Sequence, residues 1–171
     1  MYELADIKED TLNIMPAGLF IVTAAHEGRE NWQFVVRALG ITSGPPTLVV
    51  VGLNLRNLTS QLADAAGEFV LVTCSTNQAE AVDKSRGASG RDVEDKFGPF
   101  GLQRLPAKHV QAPLIAGAHA CLECRTVSKH PAGNYHLYVA EVLALHLDKS
   151  AEPLVHYNHL VYRFLHEPPI G

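Results

Sequence analysis

Cysteine is scarce: three in 171 residues. Cys74, Cys121 and Cys124 cannot all pair, which excludes a disulfide framework and leads us to expect a reducing compartment, the cytoplasm. Long apolar runs are missing too. Gly, Pro or a charge interrupts each one well short of the roughly 20 residues that a membrane-spanning helix needs. The first fifteen residues carry Glu3, Asp6, Lys8, Glu9 and Asp10, so they lack the basic start and apolar centre of a signal peptide. There is no excess of positive charge. A net charge of −4 and a pI near 6.1 argue against broad nucleic-acid binding.

Several motifs are absent as well. GxGxxG, P-loop and GxSxG do not occur, which removes the usual nucleotide-fold and hydrolase readings. Ser43-Gly44 and Ser89-Gly90 stand in turn-like segments with no evident base partner. None of the nine histidines sits in an HExxH or paired HxxxH pattern. His119 and Cys121 would share one strand face, and His136 and Tyr138 another, but two ligands do not complete a structural metal site, so no metal is expected. Without repeats, linkers or low-complexity runs, residues 1–171 are expected to form one domain.

What is present is short-period apolar patterning. Residues 18–25 (GLFIVTAA) and 32–38 read as a hairpin around a turn at 26–30. After Gly44-Pro45-Pro46, residues 47–53 (TLVVVGL) form the continuous apolar run of a strand covered on both faces. Residues 57–66 carry Leu58, Gln61, Leu62 and Ala65 at helical spacing, with Asn57 or Thr59 placed to cap and Gly67 to terminate. Residues 68–74 return to strand. Residues 76–85 read as a second helix, with Asn77 and Glu80 at capping-box separation.

Residues 86–90 read as a glycine-rich surface excursion, and residues 92–97 as one helical turn before Gly98-Pro99-Phe100-Gly101. Three further apolar segments, 113–116, 119–128 and 135–147, follow, the last two joined by a turn at 129–134 (KHPAGN). Six or seven strands with two or three short helices predict a mainly β fold. A Greek-key-like antiparallel barrel fits better than a doubly wound sheet.

Two local motifs invite chemistry. Arg56 to Thr59 link a buried strand to a helix start, where free amides and the positive dipole end suit an anion. The alternative is that Asn57 and Thr59 merely cap the helix while Arg56 is solvated. Cys121-Leu122-Glu123-Cys124 is formally a CxxC, but residues three apart in a strand point to opposite faces, so the thiols are read as structural.

Taken in order, the segments resemble the flavin reductase-like family, the FMN-binding split barrels. The resemblance rests on Pro16-Ala17-Gly18 before a strand ending in Thr23, Asn31 ahead of Pro45-Pro46, and the stretch from Leu48 to Thr59. It continues through Gly67-Glu68-Phe69, Asp95-Lys96-Phe97, Pro113 to Ala118 with Leu122-Glu123-Cys124, and Gly133 to Val142. It implies a split β-barrel holding FMN, with FAD as the alternative, near the interface of a homodimer. It also implies a flavin or flavoprotein reductase that takes NAD(P)H as co-substrate and passes electrons to free flavin, iron or an acceptor protein.

On that resemblance the cofactor-binding residues are Val35, Val36, Arg37, Ala38 and Leu39, then Gly52, Leu53 and Asn54, then Arg56, Asn57 and Thr59. The flavin carries the chemistry, and Tyr135 and His136 are the protein's catalytic candidates. The chain departs from the family pattern in having Phe34, Val36 and Arg37 where small hydroxyl residues are common. It also has Val72 in place of an Asn, and Tyr135 in place of a His. These departures leave a non-catalytic FMN electron carrier resembling flavoredoxin, a flavin store, or a barrel that has exchanged flavin for another ligand, as alternatives. Arg37 facing the pyrimidine edge of the ring would favour the anionic reduced flavin; an ion pair with Glu30 or another carboxylate is its other reading.

Overall fold

The structure, a computed structural model, describes Ile7, residues 11–85 and residues 87–163. Arg86 and His166 lie outside the described residues. After a short 3₁₀ turn at Thr11–Ile14, β1 (Ala17–Gly18) leads into β2 (Phe20–His26). The chain reverses at Glu27 and Gly28, whose φ angles of 49° and 76° suit the tight hairpin twist, into β3 (Arg29–Val35).

The strand read at 32–38 in fact stops at Val35. Val36 and Arg37 form a link, and a separate β4 (Ala38–Thr42) pairs with β5 (Leu48–Asn54). Then come α1 (Leu58–Ala66), β6 (Glu68–Thr73) and α2 (Ala79–Lys84). A two-stranded ladder of β7 (Arg104–Leu105) and β8 (Leu114–Ile115) precedes β9 (Ala120–Ala132) and β10 (Tyr135–Leu147). The last two strands reach further toward each other than KHPAGN suggested, with the turn reduced to Gly133 and Asn134. Two strands missed in the sequence, β11 (Leu154–Tyr157) and β12 (Leu160–Arg163), form a small sheet with β1.

The main sheet has seven antiparallel strands in the order β3-β2-β6-β9-β10-β5-β4. Its two edge strands, β3 and β4, are neighbours in the chain, joined only by Val36 and Arg37. The sheet must therefore curl until its ends approach, and in the link between them the Arg37 carbonyl accepts from the Gly52 amide at 2.8 Å, extending the β4–β5 ladder. Curling brings Val22 and Phe69 from one side of the barrel against Val51, Leu53 and Tyr138 from the other, with Leu62 and Ala63 of α1 packed into the same core. The opposite sheet face buries Ile21, Trp32, Val70 and Val72 under α2 and residues 97–118. Strands such as β6 are thus covered on both sides, which is why they read as unbroken apolar runs.

Cys121 belongs to the second of these cores and Cys124 to the first, on opposite faces as the strand period requires. Burial pushes both thiols up, Cys124 to about 12. Gly67, at φ 68°, ends α1 and bonds back to Ala63. The capping box before α2 is Ser75 with Gln78, not Asn77 with Glu80, because a 3₁₀ turn at Thr76–Gln78 starts the element earlier. No helical turn forms at 92–97. The 3₁₀ turn is Gly98–Phe100, where Pro99 occupies an early helical position that needs no donor, while Asp95 accepts from the Phe97 amide. Among the described residues, no helix is long and apolar enough to cross a membrane.

Candidate functional site

A cavity of about 450 Å³ opens where the barrel seam meets the start of α1. One wall is β3 and the Val36–Arg37 link, another is Gly52 and Asn54 of β5, and the loop after α2 closes the side. The α1 terminus is unusual in its wiring. Asn57 occupies the cap position in extended backbone but makes no capping bond; its amide nitrogen donates instead to Gln33 Oε1 at 2.6 Å. Thr59 Oγ1 accepts from Asn31 Nδ2 at 3.1 Å. Both side chains expected to cap the helix are engaged by β3, so the first-turn amides carry no side-chain cap.

Arg37, Arg56 and Lys96 line the cavity, and among the described residues no Asp or Glu does. Lys96 is only 7 % exposed, and its ammonium lies 4.8 Å from the centroid of the Trp32 ring. Its carbonyl accepts the Trp32 indole N–H. Burial lowers the pKa of the Lys96 ammonium, which meets a ring face and, among the described residues, no carboxylate. Three cations and a bare helix N-terminus around one cavity make a site for an anion.

Two contacts hold the loop over the cavity. Arg91 donates to the Arg56 carbonyl at 3.1 Å. Gly90 lies so close to Asn31 that a Cβ there would stand 2.2 Å from Asn31 Nδ2. At the other end of the cavity the Arg37 guanidinium sits 5.4 Å over the Tyr135 ring. The alternative pairing of Arg37 with Glu30 does not form, because Glu30 binds Arg104 at 2.8 Å.

The flavin reductase like domain model matches residues 12–164. The chain belongs to that family. It is 28 % identical over 151 residues to the NADH-dependent FMN reductase AsuE2 of Streptomyces nodosus subsp. asukaensis, a match spanning 86 % of this chain and 78 % of that one. The NADH:FAD oxidoreductase SgcE6 of Streptomyces globisporus C-1027 superposes with a TM-score of 0.85 at 22 % identity, covering 96 % of this chain and 99 % of that one. Flavoredoxin from Methanosarcina acetivorans gives 0.82 at 18 % identity over 97 % and 94 %. These likenesses establish the split-barrel fold of the flavin reductase-like chain.

Among the residues singled out in the sequence, Val35, Val36, Arg37, Gly52, Asn54, Arg56, Asn57 and Thr59 meet at the cavity of this family member. Ala38, Leu39 and Leu53 do not line it. Ala38 pairs with Val51, Leu39 is 69 % exposed on the outer sheet face, and Leu53 is fully buried in the barrel core. Tyr135 lines the cavity; His136, one residue along the strand, turns away and meets Tyr138 edge-on with ring centroids 6.1 Å apart. The sequence reading passed over Gln33, Trp32, Lys96 and the loop at 87–90. Lys96 had a signal, being the centre of the family-like Asp95-Lys96-Phe97 triplet.

Proposed function

We propose that this chain is an NAD(P)H-dependent flavin reductase that holds FMN, or FAD in its place, in the cavity at the start of α1. The observation that carries this reading is the uncapped first turn of α1 beside Arg56 and the buried Lys96, in a cavity that no carboxylate lines among the described residues. Those groups fit a phosphate, and the strip from Phe34 to Arg37 with Gly52 offers an apolar wall and backbone for a flat ring. A flavin held there would supply the redox chemistry, as acceptor of a hydride (two electrons and a proton) from reduced nicotinamide and donor of electrons to free flavin, iron or an acceptor protein.

The protein's part is to hold and orient. Asn31 and Gln33 fix Thr59 and Asn57, which keeps the helix N-terminus open toward the cavity. Gly90→Ala is expected to displace the Asn31 amide, break its bond to Thr59, and cost about 1–3 kcal/mol in stability, with weaker FMN binding. Thermal unfolding and an FMN titration check this.

We further propose a cytoplasmic homodimer, with residues 1–171 as one flavin-binding unit. Its support is an outward apolar stripe across three strands: Leu39 opposite Val50, Val50 opposite Val139, and Leu137 opposite Gly52, with Leu39 69 % and Leu137 40 % exposed. Because Gly52 belongs to both stripe and cavity, a second copy on this face would shelter the flavin. Sedimentation should give twice the mass of the chain at micromolar concentration.

A second reading, a flavin electron carrier that does not turn over nicotinamide, is favoured by Tyr135 standing at the cavity where the family pattern has a His. Anaerobic addition of NADH or NADPH to the FMN-loaded protein separates the two. Bleaching of the flavin band supports the reductase; a band that neither nucleotide bleaches supports the carrier.

A further inference from the structure

Three cations line the cavity, yet a single phosphate at the start of α1 accounts for only two of them. Arg56 and Lys96 accompany that helix end, while Arg37 belongs to the seam. Arg56 stands in the turn between β5 and α1, whereas Gly52 lies within β5 beside Arg37. A ribityl chain likewise sets a phosphate apart from its ring. With the phosphate at α1, the ring lies beside Gly52, and Arg37 is the charged side chain at that end.

The local geometry suits a ring edge. Gly52 leaves its backbone bare, and a Cβ built there would stand 3.5 Å from Arg37 Cβ and 3.6 Å from Leu137 Cδ2. The Gly52 amide is bonded to the Arg37 carbonyl at 2.8 Å, which fixes the Arg37 backbone. The rest of that end, Phe34, Val35 and Val36, is apolar and suits the hydrocarbon edge of the ring. The Arg37 guanidinium is held by stacking on Tyr135, and among the described residues none of its N–H groups has a protein acceptor. Stacking restrains a guanidinium through its face and leaves the in-plane donors available.

We propose that Arg37, held on Tyr135, donates to the pyrimidine edge of the bound flavin and binds the negatively charged two-electron-reduced form more tightly than the oxidised form. This rests on the reading that the cavity holds FMN. Two of the positions where the chain departs from its family's pattern, Arg37 and Tyr135, are thereby one unit, the ring of one setting the direction of the other. A positive charge beside the edge where negative charge accumulates lowers the free energy of the reduced form selectively. Lysine reproduces the charge but neither the stacking nor the forked donors.

The test uses the full chain loaded with FMN, in wild type, Arg37→Ala, Arg37→Lys and Tyr135→Leu. Affinity for oxidised FMN is read from quenching of the single tryptophan, Trp32. Midpoint potential is read by reduction in equilibrium with a reference dye, and affinity for sulfite, whose flavin adduct is anionic, gives an independent signature. Arg37→Ala should weaken binding of the reduced form about tenfold more than binding of the oxidised form. That tenfold equals a fall of about 30 mV in the two-electron potential. Sulfite affinity should fall in parallel, Tyr135→Leu should follow in the same direction, and Arg37→Lys should recover only part of the loss. An unchanged potential and sulfite affinity in Arg37→Ala, with FMN still bound, overturns the proposal. Wild-type protein that binds no FMN overturns the flavin reading itself, and that failure appears before any variant is compared.

Discussion

Lys96→Met should weaken FMN binding by about 10- to 100-fold while leaving the flavin-free protein at least as stable as wild type. A hydrogen bond to a charged group contributes about 1.5–3 kcal/mol, and each 1.4 kcal/mol is tenfold in affinity. Without ligand that ammonium is a burden: Lys96 is 7 % exposed, packed on Trp32, in a cavity that no carboxylate lines among the described residues. Methionine keeps the stem and removes the buried charge. The pH dependence follows from burial, which lowers the Lys96 pKa below its ordinary 10.5. Between the lowered value and 10.5 the unfolded chain binds a proton that the folded chain does not, so the flavin-free protein gains stability as pH rises through that window. FMN affinity should fall over the same window as the ammonium is lost. Both trends should be absent in Lys96→Met. Loss of stability together with loss of binding in that variant would mean that Lys96 anchors the loop and does not meet the phosphate.

Glu123→Ala should destabilise the protein by about 3–5 kcal/mol, the cost of breaking a buried, fully partnered charge. At this chain length that corresponds to a fall in Tm of roughly 6–20 °C. Glu123 is fully buried on β9, and its carboxylate accepts from the amides of Lys108 at 3.0 Å, His109, and Val110 at 3.2 Å. It also meets His146 Nε2 at 2.7 Å. These bonds fasten residues 108–110 across the sheet. Burial alone would raise the carboxyl pKa. The His146 bond and the backbone amides outweigh it and hold the group below its ordinary 4.5. Stability from Glu123 is therefore complete above 4.5 and is lost as pH falls through the lowered folded value. Glu123→Gln keeps one acceptor, should cost less than alanine, and should flatten the acid limb of the stability curve. A change under about 1 kcal/mol for Glu123→Ala would contradict this account of the loop.

Much of the fold was legible because the sheet is covered on both faces. Runs such as residues 47–53 and 68–74 announce themselves by unbroken β-branched and apolar residues, and α1 by its 3.6 spacing and Gly67. The break at Val36 and Arg37 was not legible, since apolar residues continue across it and the turn is dictated by closure of the sheet. Strands β11 and β12 are four residues each and depend on pairing with β1 and with each other, which no local pattern encodes.

The phosphate-like end of the site was visible as a strand-to-helix turn, but its decisive feature was not. That Asn57 and Thr59 do not cap follows from Gln33 and Asn31, residues 24 and 28 positions away. Lys96 is separated from Trp32 by 64 positions, and only the fold brings its ammonium over that ring. Leu39 and Leu53 were placed at the site by proximity in sequence, whereas the strand period sends one outward and the other into the core.

The measurement that most directly tests whether this cavity is the flavin site is the fluorescence of Trp32 during titration with FMN. Trp32 is the chain's one tryptophan and lines the cavity beside Lys96, so flavin bound there must quench it by energy transfer. The account predicts saturable quenching at one FMN per chain, with the midpoint shifted about 10- to 100-fold higher in Lys96→Met. Stoichiometric FMN binding whose affinity is the same in Lys96→Met, or binding that leaves Trp32 emission unchanged, would contradict it.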